Sequence, residues 1–242
     1  MNLCIDCGNS STKVGIFNQD DLIEMFTYES LEIVYAKELL EKYNIDSCIL
    51  SSVVSDNSII IDYLAKSLHY FIELSHKTEL PIHNQYSTPE TMGLDRLAAI
   101  IGATFLKPES DILVIDAGTA ITYDFIDSHQ IYWGGNIAPG LNLRLKSLHE
   151  YTQKLPLVQP EIISQFLGNS TKTAMLSGAV YGTIFEINGY INELKIKYPQ
   201  LSVFLTGGST FYFDNKLKSA IFAEKNLVLI GLNRILNYNV QK

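Results

Sequence analysis

The sequence predicts an α/β protein made of two copies of one domain, and three observations carry that expectation. Residues 3–13 read LCIDCGNSSTK and residues 113–123 read LVIDAGTAITY, so that Leu3/Leu113, Ile5/Ile115, Asp6/Asp116, Gly8/Gly118 and Thr12/Thr122 coincide. Each copy is followed by the same alternation of patterns, three strands and then helix, strand, helix, strand. The chain of 242 residues, 47% of them hydrophobic, can supply full cores for two domains of about 110–120 residues each. The expected division is a domain over 1–108 and another over 109–242.

Taken in order, strands are expected at 2–7, 12–17 and 21–28. A helix follows at 31–43, where Leu31, Val34, Tyr35, Leu39 and Leu40 fall near a 3.6-residue period. Strand 46–54, helix 57–68 and strand 70–74 complete the first half. In 87–108, Ser87 or Thr88 can cap a helical turn with Pro89 inside it and Glu90 behind. Gly93 breaks that turn, and a second helix from Leu94 sets Leu94, Leu97, Ala98, Ile101 and Phe105 on one face until Pro108. The second half reads as strands 111–116, 120–126 and 129–137, then helices 140–150 and 171–198. Strand 201–206, a short helix at 209–217, strand 219–223 and a helix at 226–239 end it.

Composition narrows the function. A formal net charge of −8 with no basic run argues against nucleic acid as a main partner. The longest charge-free apolar stretches, such as 173–185, fall short of the ~20 residues of a membrane span, so no membrane association is expected. The N-terminus enters a strand directly, with no basic segment before it, and three cysteines accompany it; a reduced, cytoplasmic setting is expected. Cys4 and Cys7 form a CxxC, but residues at i and i+3 of a strand face opposite ways and no second pair completes a zinc site. The five histidines show no ligand spacing.

The repeated phrase has a specific chemistry. Glycine lets backbone N–H groups approach an anion, and the hydroxyls add donors. An aspartate beside phosphate makes sense with a cation between them. Asp95 and Arg96, in the first turn of a helix, can complement the helix dipole and face solvent, or they can face a ligand. GGNIAP at 134–139 and TGG at 206–208 suit close approach to a nucleotide and equally suit plain turns. There is no GxxxxGK[ST], no GxGxxG after a strand, no protein-kinase set and no GxSxG.

The order βββαβαβ, found twice, resembles the ribonuclease H-like domains of the acetate and sugar kinase, chaperone and actin superfamily. That resemblance implies a nucleotide cleft between the domains, with the first hairpin of each reaching the phosphates. Over nearly the whole chain the motifs resemble type III pantothenate kinases: DCGNSSTK (6–13), TMGLDR ending at Arg96, DAGTAITYD (116–124), GGNIAPG (134–140), Gly-Asn-Ser-Thr (168–171) and TGG (206–208).

The resemblance implies ATP-dependent phosphorylation of pantothenate, the first step of coenzyme A synthesis, with Mg²⁺ and a monovalent cation, K⁺ or NH₄⁺. Carried over by position, the first phosphate loop is Asp6, Cys7, Gly8, Asn9, Ser10, Ser11, Thr12 and Lys13, with Asp6 holding Mg²⁺ through water. Asp116 matches the monovalent-cation position and Thr119 an ATP contact. Asp95 matches the proton acceptor, orienting the hydroxyl more than acting as a strong base. Tyr86, Gly93, Leu94, Asp95, Arg96 and Thr171 match substrate contacts. The family usually has Asn-Thr where this chain has Ser170-Thr171. Another small-molecule kinase, a non-catalytic accessory factor and an actin-like ATPase are the rival readings; retention of Asp6, Lys13, Asp95 and Arg96 argues against the second, and an actin-like ATPase usually needs a longer chain.

A homodimer is expected from the helix at 171–198. Over 174–191 its only polar side chains, apart from two tyrosines, are Ser177, Thr183, Glu186 and Asn188. A helix apolar nearly all round must be covered nearly all round, by a second copy or by the chain's own domains. Gly178 and Gly182 would let a second helix pack closely, and the resemblance places the substrate site beside such an interface.

Overall fold

A computed structural model describes residues 1–8, 11–52, 58–213, 216–217 and 220–241. The first three strands are β1 (Asn2–Cys7), β2 (Thr12–Asn18) and β3 (Asp21–Tyr28), followed by α1 (Ile33–Lys42), β4 (Ser47–Ser52), α2 (Ser58–Ser67) and β5 (Tyr70–Glu73). They form one sheet in the order β3-β2-β1-β4-β5, with β1, β2 and β3 antiparallel and β4 and β5 parallel to β1. Leu3, Ile5, Val14, Ile16, Cys48 and Leu50 line one face of it, covered by Ala36, Leu39, Ile60 and Leu64 of the two helices. β1 and β4 are buried on both faces at their centres, which is why residues 3–5 and 48–50 read as apolar without alternation.

The second sheet repeats this plan. β7 (Ile112–Ala117), β8 (Ala120–Ile126) and β9 (Ile131–Pro139) lead to α4 (Leu141–Glu150), α5 (Thr171–Lys197), β10 (Ser202–Thr206) and β11 (Phe222–Ala223). Five of its six strands run β9-β8-β7-β10-β11, the order of the first sheet, and a sixth short strand adds beyond β9. β7 and β8 are antiparallel, and β10 runs parallel to β7. Two mixed sheets of one order bear out the predicted fold class.

By contacts the chain groups into two compact units, residues 1–109 with 128–133 and 226–242, and residues 110–127 with 134–225. Within the first unit, α6 (Leu227–Val240) packs on α3 (Leu94–Leu106) and on β1. The contact between α3 and α6 is tight. A Cβ on Gly102 would lie 2.3 Å from the Leu227 carbonyl oxygen, and one on Gly231 would lie 1.7 Å from that of Ala98. The short β6 (His83–Asn84), absent from the sequence reading, pairs with the first residues of β9 in the same unit.

Several boundaries differ from expectation. Of the helix expected over 209–217, Thr210–Tyr212 forms a 3₁₀ turn, and residues 214–215 lie outside the described residues. Residues 53–57, the end of one expected strand and the start of the next helix, lie outside them too, as does 219.

Candidate active site

In the first unit, the β1–β2 hairpin carries the first loop. Asp6 pairs with Lys13 and Cys7 with Thr12, so Asp6 and Lys13 share one face of the ladder and Cys7 and Thr12 the other. Gly8 N–H closes the turn on the Ser11 carbonyl at 3.1 Å. Asn9 and Ser10 lie outside the described residues. Thr12 is buried and its hydroxyl bonds the Cys7 thiol, while burial pushes the pKa of that thiol up. All three cysteines are free and buried, in keeping with a core role. Among the described residues no cluster of three or more His, Cys, Asp or Glu side chains could hold a metal by itself.

The same unit brings together Tyr86, Gly93, Leu94, Asp95 and Arg96. Gly93 is the N-cap of α3 in extended conformation, and Leu94 begins the helix. Asp95 Oδ1 accepts the backbone N–H of Arg96 at 2.9 Å and lies back over Gly93, where a Cβ would come within 2.5 Å of it. Arg96 is 6% exposed, its Nη2 3.3 Å from the Tyr132 hydroxyl and its guanidinium 5.8 Å from the centre of the Tyr86 ring. Tyr86 and Tyr132 stack at 6.3 Å. Arg96 is therefore a buried, fixed cation and not the solvated partner of a dipole-complementing Asp95.

Sequence reasoning missed Tyr132, which the structure places behind Tyr86 and Arg96. Its only signal was its position just before the Gly-rich turn of 134–140. β6 explains its placement: Gln85 N–H bonds the Tyr132 carbonyl at 3.0 Å and brings Tyr86 alongside.

In the second unit, the β7–β8 hairpin is one residue tighter than its counterpart. Asp116 pairs with Thr122, whereas the partner of Asp6 is Lys13 and not Thr12. Lys13 thus occupies the ladder position that Thr122 holds in the second copy. Asp116 also lies beside Thr206 across the parallel ladder. Its Oδ1 rests against Gly207, where a Cβ would approach within 2.4 Å; Gly207 has φ +98°, a conformation that glycine adopts without strain. Thr119 is exposed at the tip of the turn, and its carbonyl accepts the Gly140 N–H at 3.0 Å.

Thr171 opens α5 and is exposed. Ser170 is the N-cap: its hydroxyl accepts the Thr173 N–H at 3.2 Å, and Thr173 Oγ1 accepts the Ser170 N–H at 3.0 Å. That reciprocal box gives Ser170 a capping task and leaves the Thr171 side chain out of it.

The family model for type III pantothenate kinase matches residues 2–193. A type III pantothenate kinase of Phocaeicola vulgatus is 48% identical over 239 residues, covering 99% of each chain. That of Flavobacterium johnsoniae is 38% identical over 244 residues, again covering 99% of each. Among solved structures, a Campylobacter jejuni protein described as a Baf family transcriptional activator superposes with a TM-score of 0.64 at 23% identity, over 99% of this chain and 100% of that one. The (R)-2-hydroxyglutaryl-CoA dehydratase component A of Acidaminococcus fermentans superposes with a TM-score of 0.55 at 12% identity, over 100% of this chain and 99% of that one. The structural likenesses speak for the fold alone. With the sequence matches spanning nearly its full length, the chain belongs to the type III pantothenate kinase family.

Proposed function

We propose that the chain transfers the γ-phosphoryl group of ATP to the primary hydroxyl of pantothenate, giving 4′-phosphopantothenate for coenzyme A synthesis. What carries the reading is the match over residues 2–193, which contains both Asp-ended hairpins and the Gly93–Arg96 helix start. Phosphoryl transfer needs positioning and charge neutralisation more than covalent chemistry. Asp95 accepts a hydrogen bond from the pantothenate hydroxyl and aligns it for attack. The buried Arg96, braced by Tyr132, and the Tyr86 ring hold the rest of that substrate, with Thr171. Backbone N–H groups at Gly8 and Gly118, the hydroxyls of Ser11 and Thr119, and Lys13 bind the phosphates.

The residues present fit two cations. Asp6, paired across the ladder with Lys13, suits Mg²⁺ held through water. Asp116, seated over Gly207 at a strand end, offers a carboxylate oxygen to K⁺ or NH₄⁺. Bound there, the ions would offset phosphate charge, a task a carboxylate alone would oppose. Among the described residues no helix is long and apolar enough to cross a membrane, and a cytoplasmic site of action is part of the proposal.

The working form is a homodimer through α5. Its face at Gly178, Gly182 and Gly189 is open: apart from the helix's own neighbouring backbone, no heavy atom of the described residues lies within 4 Å of a Cβ built there. Beside it, Phe185 is 58% and Phe166 55% exposed, the rings 6.1 Å apart. An apolar stripe of this kind on a 27-residue helix is what a second copy would cover.

A coupled ADP-release assay with Mg²⁺ and K⁺ tests the reaction. ADP should appear with pantothenate and stay at background with acetate and a panel of hexoses. Turnover of a sugar without turnover of pantothenate would reject the assignment.

A further inference from the structure

One carboxylate of the second unit gathers the parts that shape the Asp116–Thr119 turn. Glu186, near the middle of α5, accepts the Tyr123 hydroxyl on Oε1 at 2.7 Å and Arg144 Nη2 on Oε2 at 2.6 Å. Tyr123 lies on β8, the strand leaving the turn. Arg144, in the first turns of α4, also donates Nε to the Pro139 carbonyl at 2.7 Å. The next residue is Gly140, whose N–H bonds the Thr119 carbonyl at 3.0 Å. Gly140 sits so close that a Cβ on it would lie 2.3 Å from the Gly118 oxygen and 2.4 Å from that of Thr119. Both routes from Thr119, along β8 and across the Pro139–Gly140 turn, therefore end on Glu186.

The chemistry suits a clamp more than a surface ion pair. The side chains of Arg144 and Glu186 are 22% and 27% exposed, and each makes two bonds that fix its orientation. Burial first, and then the bond to Glu186, raise the Tyr123 pKa, so its hydroxyl stays a donor. The Tyr123 ring is held in turn by Tyr190, stacked at 4.1 Å. We infer that Glu186 is a positioning residue for the second phosphate loop, setting through Arg144 and Tyr123 where the Thr119 turn meets ATP. The inference rests on the reading of Asp116–Thr119 as a phosphate loop.

Steady-state kinetics of Glu186→Ala, Arg144→Ala and the double variant test it, with the KM of ATP and of pantothenate measured separately and thermal unfolding recorded beside them. Each single variant should raise the ATP KM by roughly tenfold, the effect of losing a charge-assisted bond, and leave the pantothenate KM within about twofold. The double variant should be no worse than the worse single one, because the two act as a pair. Tyr123→Phe, which keeps the ring and removes one bond, should raise the ATP KM by a smaller factor, and it carries the test if Glu186→Ala does not fold. An unchanged ATP KM with only a lower melting temperature, equal rises in both KM values, or full additivity would each overturn the inference. Thr119→Val separates the two levels. If it too leaves the ATP KM unchanged, the phosphate-loop reading fails; if it raises that KM and the Glu186 and Tyr123 variants do not, only the role of Glu186 fails.

Discussion

Asp95 shows how much one side chain's surroundings decide. Its Oδ1 is held by the Arg96 N–H at 2.9 Å, which leaves the other oxygen for the proposed bond from the substrate hydroxyl. In Asp95→Asn the amide oxygen keeps the bond to Arg96, and the amide nitrogen then points a donor at a group that also donates. Turnover should fall roughly 10²–10⁴-fold with folding and ATP binding preserved. Activity within a few-fold of the parent enzyme would remove Asp95 from the role of acceptor. Asp116 carries a second residue-scale prediction. Its carboxylate is packed over Gly207 beside the turn, and a cation held there would offset the phosphate charge of ATP. Rates should be higher in K⁺ than in tetramethylammonium at equal ionic strength, and Asp116→Asn should lose that difference. Equal rates in both salts with Asp116 in place would count against the site.

Among the elements, α3 matters most, because its first turn carries Asp95 and Arg96 while its body is almost wholly buried from Arg96 to Ala103. Its position is set by α6, against which Gly102 and Gly231 let the backbones touch. Gly231→Ala would push a methyl group into the Ala98 carbonyl, and neither backbone can give way without moving the helix. The expected cost is about 1–3 kcal/mol, against the roughly 1 kcal/mol that alanine gains over glycine in a free helix. Urea unfolding should show a lower midpoint at an unchanged slope. A midpoint at or above that of the parent would show that the two helices are free to separate.

For the whole molecule, assembly is the open quantity, and α5 makes it testable without disturbing the fold. Because no described residue beyond the helix's own backbone lies within 4 Å of a Cβ at Gly178 or Gly182, a larger side chain can start outward there in the single chain. In a dimer packed through that face it should clash. Gly178→Leu or Gly182→Leu is therefore expected to keep or raise the thermal midpoint measured on the monomer, to shift the light-scattering mass from dimer to monomer, and to weaken pantothenate binding. A parent enzyme that is monomeric at micromolar concentration and fully active would dispose of the dimer and its shared pocket together.

The sequence by itself determined the two-sheet plan and the two Asp-ended hairpins, because strand alternation, buried apolar runs and the repeated Asp-x-Gly phrase are local patterns. It also determined Asp95 at a helix start, since Gly93 and the apolar period that follows mark that boundary from within a few residues. Only the tertiary structure decided which side chains those local pieces meet. Lys13 replaced Thr12 opposite Asp6 because the first hairpin turn is one residue longer, a register that ladder hydrogen bonds set. Tyr132 reached Arg96 only because β6 pairs with β9, and Glu186 joined Tyr123 and Arg144 only because α4 and α5 pack together. The last helix, adjacent in sequence to the second domain, joined the first unit instead, since Gly231 offered α3 a surface it could approach closely. These are contacts between residues far apart in the chain, and no short-range pattern encodes them.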